Sequence, residues 1–426
     1  MWEQVRANKH KSVALVLCIA LLLIVLGFVI GMALFGGYRG GRIYLNDPQS
    51  FAGGILGIIV AITIWLVMTV TAYFGGARIL LASSKAHAIE KSDHPQLYNV
   101  VEEMTIASGI GKMPKIYIID DMSPNAFATG RDPENSAIAV TAGLLAKLNR
   151  DQLQGVVAHE MSHIVNRDVL FMTMIGVMVG SITIMAELFL RSLWFTGGRR
   201  RSRYDSKGGG QAQLILMLVA LVLAILAPIA AQIIYFAASR RREYLADANA
   251  AILTRYPEGL ASALETIAKD TTPLTAANKV TAPMYIASPA KKRSFTGLAS
   301  THPPIENRIR ILRAMGGNAS FAAYQQGWKR VEGKNAAGLP ASALAGAPRV
   351  PARKPQQAGS GKPANSRRQL RQATDALRNA NKYLFLACTC GLRIKLPPEF
   401  KQDHVKCPRC GRDVRVPTAQ MATMAT

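Results

Sequence analysis

Four stretches of this chain carry no charged residue and are long enough to cross a lipid bilayer. They comprise residues 12–38, 48–77, 169–186 and 208–239. A helix that spans the hydrocarbon core needs about 20 apolar residues. Burial in a protein core is the alternative for each stretch, and it has more weight for the last two. The pattern predicts a multi-pass α-helical membrane protein whose first stretch is a retained anchor rather than a cleaved signal peptide.

Basic residues beside these stretches indicate how the chain enters the membrane. Those that flank the first two stretches are Arg6, Lys9, Lys11, Arg39, Arg42, Arg78, Lys85 and Lys91. Because cytoplasmic flanks are enriched in Lys and Arg, their distribution favours a cytoplasmic N-terminus and a return to the cytoplasm near residue 78. The loop at 191–207 is also strongly basic, which a hairpin that crosses outward does not explain. Whether this second hairpin spans the bilayer fully therefore stays open.

A segment with mixed α and β signals lies between the two apolar pairs. "KIYIID" at 115–120 and "SAIAV" at 136–140 are rich in Ile and Val and bounded by polar residues, which predicts two short strands. After Thr141 the apolar spacing becomes helical, and Asn149 or Asp151 is suited to cap the helix that follows. We therefore expect an α+β domain here.

The sequence "HEMSH" at 159–163 forms an HExxH motif inside that helical pattern. Residues four apart lie on one helix face, so His159 and His163 can bind one metal ion while Glu160 reaches a water beside it. Zinc lowers the pKa of such a water to about 7, and a carboxylate next to it can accept the proton during attack on a carbonyl carbon. The chain has only 7 His, so two unrelated surface histidines rarely produce this spacing.

A catalytic zinc site requires a third protein ligand and an open position. Glu243 and Asp247 in "RREYLADANAA" are again four apart and share a helix face. Glu243 can bind the metal, and Asp247 can orient a ligand histidine by accepting its other ring N–H. An ordinary solvated charged helix beside the membrane remains the alternative for this segment.

Four blocks of sequence occur in a specific order: "SPNAFATG" at 123–130, "HEMSH" at 159–163, "RREYLADANAA" at 241–251 and "THPPIENRI" at 301–309. In these blocks the chain resembles the HtpX-type membrane zinc metallopeptidases, which belong to the same broad family as the CAAX prenyl proteases. The resemblance covers about residues 1–315. It implies that His159, His163 and Glu243 bind zinc, that Glu160 is the catalytic base and that Asp247 orients a ligand.

Further roles follow from the same resemblance. The segment Asn125, Ala126, Phe127 and Ala128 would be an edge strand that pairs with an extended substrate backbone. His302 would lie near the cleft, either as a donor to the oxyanion or as a structural residue before two prolines. Arg308 would pair with a carboxylate of the site. Both metal-binding helices would continue into the apolar hairpin, which places the site near the cytoplasmic membrane surface.

The C-terminal quarter has a different character. Residues 316–380 are rich in Ala, Pro, Gly and Gln and basic, which is typical of a disordered linker; a short helix near 369–381 is the exception we expect. Two thiol pairs follow, at Cys388, Cys390, Cys407 and Cys410, each before a Gly and an alternating strand. This repeat predicts a small zinc ribbon. Disulfides are the alternative, but cytoplasmic thiols stay reduced.

The predicted fold is a multi-pass α-helical membrane protein with an α+β metallopeptidase domain of the gluzincin type and a small β zinc ribbon. Residues 1–80 hold two transmembrane helices, and residues 169–238 form the second hairpin. The metallopeptidase domain comprises 81–168 and 239–315, and the linker at 316–380 precedes the ribbon at 381–418. Two zinc ions are expected, one catalytic and one structural.

The predicted function is that of a zinc endopeptidase in the inner (cytoplasmic) membrane. It would cleave membrane or membrane-associated proteins at the cytoplasmic face, which suits quality control of membrane proteins. A catalytically idle adaptor that acts through the ribbon is one alternative, and a CAAX-type prenyl-protein protease is another. The predicted partners are protein substrates, the bilayer and a protein bound by the ribbon. Nucleic acid is not expected, because the basic segments lack interleaved aromatic residues.

Overall fold

The structure is a computed structural model that describes residues 2–35, 48–197, 210–277, 284–287, 302–333, 350–354, 366–381, 383–400 and 402–417. The helices in chain order are α1 Trp2–Phe35, α2 Pro48–Ser83, α3 Pro95–Ser108, α4 Ala142–Lys147, α5 Arg150–Val165, α6 Asp168–Gly197, α7 Gly210–Thr254, α8 Pro257–Lys269, α9 Ile305–Arg313, α10 Phe321–Glu332 and α11 Ser366–Ala380. The strands are β1 Ala86–Ala88, β2 Lys115–Ile119, β3 Ala126–Gly130, β4 Ser136–Thr141, β5 Leu384–Ala387, β6 Arg393–Leu396, β7 His404–Lys406 and β8 Asp413–Arg415.

Helices α1, α2, α6 and α7 pack against one another around an apolar core of their own. Three described segments are long and apolar enough to cross a membrane by length and composition: Leu17–Leu34, Phe51–Ser83 and Asp168–Ser192. The fourth predicted stretch lies inside the long helix α7, where the apolar part is the shorter segment Met217–Ile233. The basic residues at 199–207 lie outside the described residues, so the structure does not bear on that loop.

The outer surface of this bundle is apolar. Phe74 is 70% exposed and Leu17 is 63% exposed, and only 11% of the apolar window of α2 is buried. Exposure of so large an apolar surface to water is unfavourable, whereas its contact with lipid tails is not. By length and composition, this exposed apolar surface is suited to contact with lipid.

Helices α1 and α2 approach closely because glycines face each other across their interface. A Cβ atom built on Gly57 would lie 2.0 Å from the carbonyl oxygen of Gly27, and one built on Gly27 would lie 2.8 Å from the Cβ of Ala61. Small residues one turn apart allow two membrane helices to pack backbone against backbone. Any larger side chain at Gly57 would push the helices apart.

A four-stranded sheet forms the β part of the domain predicted at residues 81–168 and 239–315, in the order β1-β2-β4-β3. Strand β2 runs parallel to β4, and the outer strands β1 and β3 are antiparallel to their neighbours. The two strands predicted at 115–120 and 136–140 are confirmed as β2 and β4. Strand β3, which contains three of the four residues predicted to bind substrate, lies at the edge of the sheet.

Helix α5 is nearly enclosed by the domain. Asn149 caps it, as predicted, in a reciprocal capping box with Gln152. An added Cβ on Gly155 would lie 2.6 Å from the backbone nitrogen of Leu260, so α5 and α8 are in direct backbone contact. This close packing fixes the helix that carries the HExxH motif.

The sequence predicts that α5 continues directly into the apolar hairpin, and the structure corrects this. Helix α5 ends at Val165 and α6 begins at Asp168, with a turn at Asn166 and Arg167. Arg167 has a φ of 57°, which a helix does not allow. The chain therefore changes direction between the HExxH motif and the apolar helix. The corresponding prediction for the second metal-binding helix is confirmed, since α7 runs without a break from Gly210 to Thr254.

A hydrogen-bonded pair links the ends of α4 and α8. The Lys147 ammonium group donates to the Asp270 carboxylate, and the Thr272 backbone N–H donates to the same side chain at 2.9 Å. Partial burial by itself would raise the pKa of Asp270, but these hydrogen bonds outweigh it and lower that pKa below its ordinary value. The pair therefore stabilises the fold with Asp270 ionised.

The prediction of a disordered linker is wrong for residues 321–332, which form α10, whereas the short helix expected near 369–381 is confirmed as α11. Helix α10 packs into the domain core, where Tyr324 is fully buried and Trp328 is 8% exposed. Helix α11, expected near 369–381, lies against α4 with Ala373 and Leu377 buried. The inference of disorder from composition failed here, because a few apolar residues at helical spacing are sufficient to pack a short helix on an existing surface. Residues 334–349 and 355–365 lie outside the described chain.

Between α10 and α11 in the chain, the segment 350–354 lies against the start of α5. The Arg353 guanidinium donates to Asp151 Oδ1 and to Gln154 Oε1, both at 2.7 Å, and its Nε donates to the Thr254 carbonyl at 3.0 Å. The group also stacks over the Tyr256 ring, 4.9 Å from its centre. This one side chain ties the C-terminal extension, the chain from residue 350 onward, to helices α5 and α7 and to Tyr256 just before α8.

Candidate metal centre and active site

The three predicted metal ligands converge on one point. His159 and His163 on α5 and Glu243 on α7 each offer a ligand atom, and these atoms all lie within 4.8 Å of one another. His159 Nε2 is 3.6 Å from Glu243 Oε2, and His163 Nε2 is 3.4 Å from Glu243 Oε1. Two imidazole nitrogens and a carboxylate oxygen in one buried cluster form a donor set that can hold a divalent metal.

Each of the two histidines is oriented by a carboxylate on its other ring nitrogen. His159 Nδ1 lies 2.9 Å from Asp247 Oδ1, as predicted for Asp247. His163 Nδ1 lies 3.3 Å from Asp168 Oδ2. The sequence analysis missed Asp168, which comes after the turn that ends α5. Its only signal was an isolated Asp, five residues after His163, at the start of an apolar stretch.

Arg308 on α9 also lies in the cluster. It is 1% exposed and forms two hydrogen bonds with Asp247, from Nε at 2.8 Å and from Nη2 at 2.7 Å. Its Nη1 donates to the Ile286 carbonyl at 3.0 Å and lies 3.3 Å from Glu243 Oε2. Arg308 thus pairs with two carboxylates of the site, Asp247 and Glu243, where the sequence predicted one. A buried guanidinium is stable here because its charge is matched.

Glu160 is 2% exposed and lies beside the cluster. Burial raises the pKa of its carboxyl group, although the neighbouring His159 and His163 and a hydrogen bond from the Ala128 N–H act in the opposite direction. A carboxylate with a raised pKa is a better proton acceptor than an ordinary surface Glu. Glu243 behaves differently: burial raises its pKa, but His302 and the other histidines outweigh this and hold it well below its usual range. Glu243 is therefore an anion, as a metal ligand must be.

Strand β3 passes close to this cluster, and its outer edge already has partners. The Ile286 N–H donates to the Ala126 carbonyl at 2.9 Å. The Asn125 side-chain amide binds the backbone of Ala287, donating to its carbonyl at 3.0 Å and accepting from its N–H at 3.3 Å. Phe127 is fully buried against the ring of Tyr285. The segment at 284–287 therefore lies beside the predicted substrate-binding residues.

His302 also lies in the cluster. It is 6% exposed, and its Nδ1 is 2.9 Å from Glu243 Oε2. The structure thus brings His302 to the three predicted metal ligands from a distant part of the sequence, at the start of the block that contains Arg308. Thr301, the first residue of that block, lies outside the described chain.

The four C-terminal cysteines form a second cluster. Cys388 and Cys390 lie between β5 and β6, and Cys407 and Cys410 lie between β7 and β8, with all four Sγ atoms within 4.8 Å of one another. A backbone N–H from Cys390 and the neighbouring thiols lower the pKa of Cys388 to about 6. A thiol that ionises this readily is suited to bind a metal.

Comparisons with known proteins agree with the geometry of the first cluster. Residues 91–316 match the pattern of peptidase family M48. A protease HtpX homolog of Dictyoglomus turgidum is 46% identical over 315 residues, which cover 74% of this chain and 95% of that protein. The protease HtpX homolog of Ligilactobacillus salivarius is 38% identical over 315 residues, with 74% and 100% coverage. No solved structure matches the chain. About a quarter of this chain thus lies outside these similarities.

Proposed function

This chain belongs to peptidase family M48 and is a membrane-associated zinc metallopeptidase, and from that premise we propose that it is an endopeptidase acting on membrane proteins at the cytoplasmic face. The observation that carries the proposal is the buried cluster of His159, His163 and Glu243 with Glu160 beside it. The bundle of apolar helices and the basic residues around the first two of them support the cellular location. Removal of damaged membrane proteins is the role that suits such a site.

The residues of the cluster fit a catalytic zinc. His159, His163 and Glu243 would be its three protein ligands, which leaves a position open for substrate. When bound there, zinc supplies a Lewis acid that polarises a peptide carbonyl and makes a water acidic enough to attack it near pH 7. Asp247 and Asp168 lie on the outer ring nitrogens, so both ligand histidines are presented through Nε2.

The remaining residues act on the substrate and on the proton. The Glu160 carboxylate accepts the proton of the attacking water and passes it to the leaving amine. His302, which lies against Glu243, donates to the oxygen that becomes negative in the tetrahedral intermediate. An extended substrate would add along β3 at Ala126 to Ala128 by backbone hydrogen bonds, in place of the segment 284–287, whose Ile286 N–H donates to the Ala126 carbonyl.

The ribbon would hold a second, structural zinc through its four thiolates. Each thiol pair sits in a tight turn of a two-stranded hairpin, and so small a unit has little apolar core without its metal. A protein partner of the ribbon would then be recruited next to the protease. Zinc stoichiometry tests both sites: we expect Cys407→Ser to lose one equivalent and His159→Ala to lose a different one.

The decisive experiment for the activity is Glu160→Gln in the full chain, assayed in detergent or liposomes with casein and with an unfolded membrane protein. The variant should retain the zinc of the wild type and lose cleavage. Glu102→Gln, an exposed substitution of the same kind, should cleave normally. Cleavage by Glu160→Gln at the wild-type rate would refute the proposal. A wild-type protein that holds zinc at both sites yet cleaves neither substrate would favour an adaptor.

A further inference from the structure

We propose that Asp168 and Arg242 are positioning residues for His163, so that the junction between the apolar helices α6 and α7 sets part of the affinity of the metal centre. This inference rests on the proposed function, because it takes His163 as a metal ligand. It assigns a role to two side chains that neither the HExxH motif nor the glutamate helix implies.

Asp168 is placed to fix the ring of His163. It is the first residue of α6 and is 1% exposed, and its Oδ2 lies 3.3 Å from His163 Nδ1. With Nδ1 directed to this carboxylate, the other ring nitrogen faces the cluster, 3.3 Å from His159 Nε2. A carboxylate on the outer nitrogen fixes the tautomer and orientation of a ligand histidine and increases its basicity.

The turn between α5 and α6 makes this contact attainable. In a continuous helix, residues five apart point about 140° away from each other, so Asp168 would lie on a different face from His163. The left-handed conformation of Arg167, with a φ of 57°, ends α5 and starts α6 in a new direction. The backbone break therefore brings the first side chain of the apolar helix back to the metal ligand.

Arg242 holds the Asp168 carboxylate from the other apolar helix. Its Nη1 pairs with Asp168 Oδ1, and its guanidinium carbon lies 3.8 Å from the centre of the Phe171 ring on α6. The Arg242 side chain is only 12% exposed, so the pair is shielded from water. Since a buried carboxylate needs a matched charge, Arg242 balances the charge of Asp168 and holds its side chain in place.

The position of Arg242 in the chain links the pair to the metal a second time. The next residue on α7 is Glu243. Adjacent residues of this helix therefore supply one proposed metal ligand, Glu243, and the side chain that holds Asp168, the partner of His163. A shift of α7 against α6 would move Glu243 and release His163 together. For His159 the equivalent pair is Asp247 and Arg308, and in that pair the arginine comes from α9 instead. Among the described residues, only the His163 side of the centre is thus connected to both apolar helices.

The test measures metal binding in the full-length protein in detergent, with zinc and with Co²⁺ as probes. The relevant zinc equivalent is the one lost in His159→Ala. We expect Asp168→Asn to weaken its affinity about 10- to 100-fold, in competition with a chelator, and to alter the visible absorption of bound Co²⁺. Arg242→Gln should weaken it in the same direction. If Arg242 acts through Asp168, the double variant should bind no more weakly than Asp168→Asn alone.

Arg241→Gln is the matched control, because it removes the same charge from the same basic triplet at an exposed position. It should bind zinc as the wild type does. If Asp168→Asn lowers only the thermal stability, while its folded fraction has the affinity and Co²⁺ absorption of the wild type, the positioning role is refuted. If instead His159→Ala binds as much zinc as the wild type, the proposed metal centre itself is refuted.

Discussion

Replacement of Arg308 by methionine should destabilise this protein more than any ordinary surface substitution. Arg308 is 1% exposed and forms a two-pronged pair with Asp247, which is fully buried. The substitution leaves the Asp247 carboxylate in the interior without its cation and the Ile286 carbonyl without a donor. Removal of one partner from such a pair costs about 3–5 kcal/mol of the free energy of unfolding.

The expected change in thermal midpoint follows from this loss. For a domain of about 150–250 residues, 1 kcal/mol corresponds to about 2–4 °C, so Arg308→Met should lower the midpoint by about 6–20 °C. The assay is thermal unfolding of the purified protein in detergent, followed by intrinsic fluorescence at one heating rate. Arg310→Met on the same helix is the control, because Arg310 is exposed and its loss should change stability by less than about 0.5 kcal/mol.

A second variant separates loss of charge balance from loss of packing. Asp247→Leu combined with Arg308→Met removes both charges, so no carboxylate remains stranded, and this double variant should unfold at a higher temperature than Arg308→Met alone. The reasoning is refuted if Arg308→Met and Arg310→Met have the same midpoint. It is also refuted if the double variant is the less stable of the two.

Three further predictions concern other parts of the fold. Gly57→Ala should destabilise the packing of α1 against α2 by about 1–3 kcal/mol, because the added methyl group meets the α1 backbone. Gly75→Ala on the same helix should not destabilise it, and thermal unfolding of both variants in detergent makes the comparison. Asp270→Asn should remove stability that is present above about pH 4 and is lost as the pH falls through the lowered pKa of Asp270. The unfolding free energies of the wild type and the variant, measured during acid titration, should therefore converge below about pH 4. Arg353→Gln should cost about 1.5–3 kcal/mol and expose the C-terminal extension to limited proteolysis, whereas the exposed Lys354→Gln should do neither.

Local spacing was sufficient to identify the centre of the site. Two histidines four residues apart must share a helix face, and the same rule puts Glu243 and Asp247 on one face of another helix. Long runs without charge likewise identified the helices that can cross a membrane, because the required length is a property of the bilayer rather than of the fold. The thiol spacing identified the residues of the second cluster for the same local reason.

Tertiary structure decided which distant groups support these residues. Arg308 reaches Asp247 from another helix, and Arg353 reaches the start of α5 from a segment whose composition resembles a linker. Asp168 reaches His163 only because Arg167 adopts a left-handed conformation. Periodicity describes contacts within one element, whereas these contacts depend on how elements pack and on where a helix ends. The sequence by itself therefore determined the candidate ligands, and the packing of the elements decided what holds them in place.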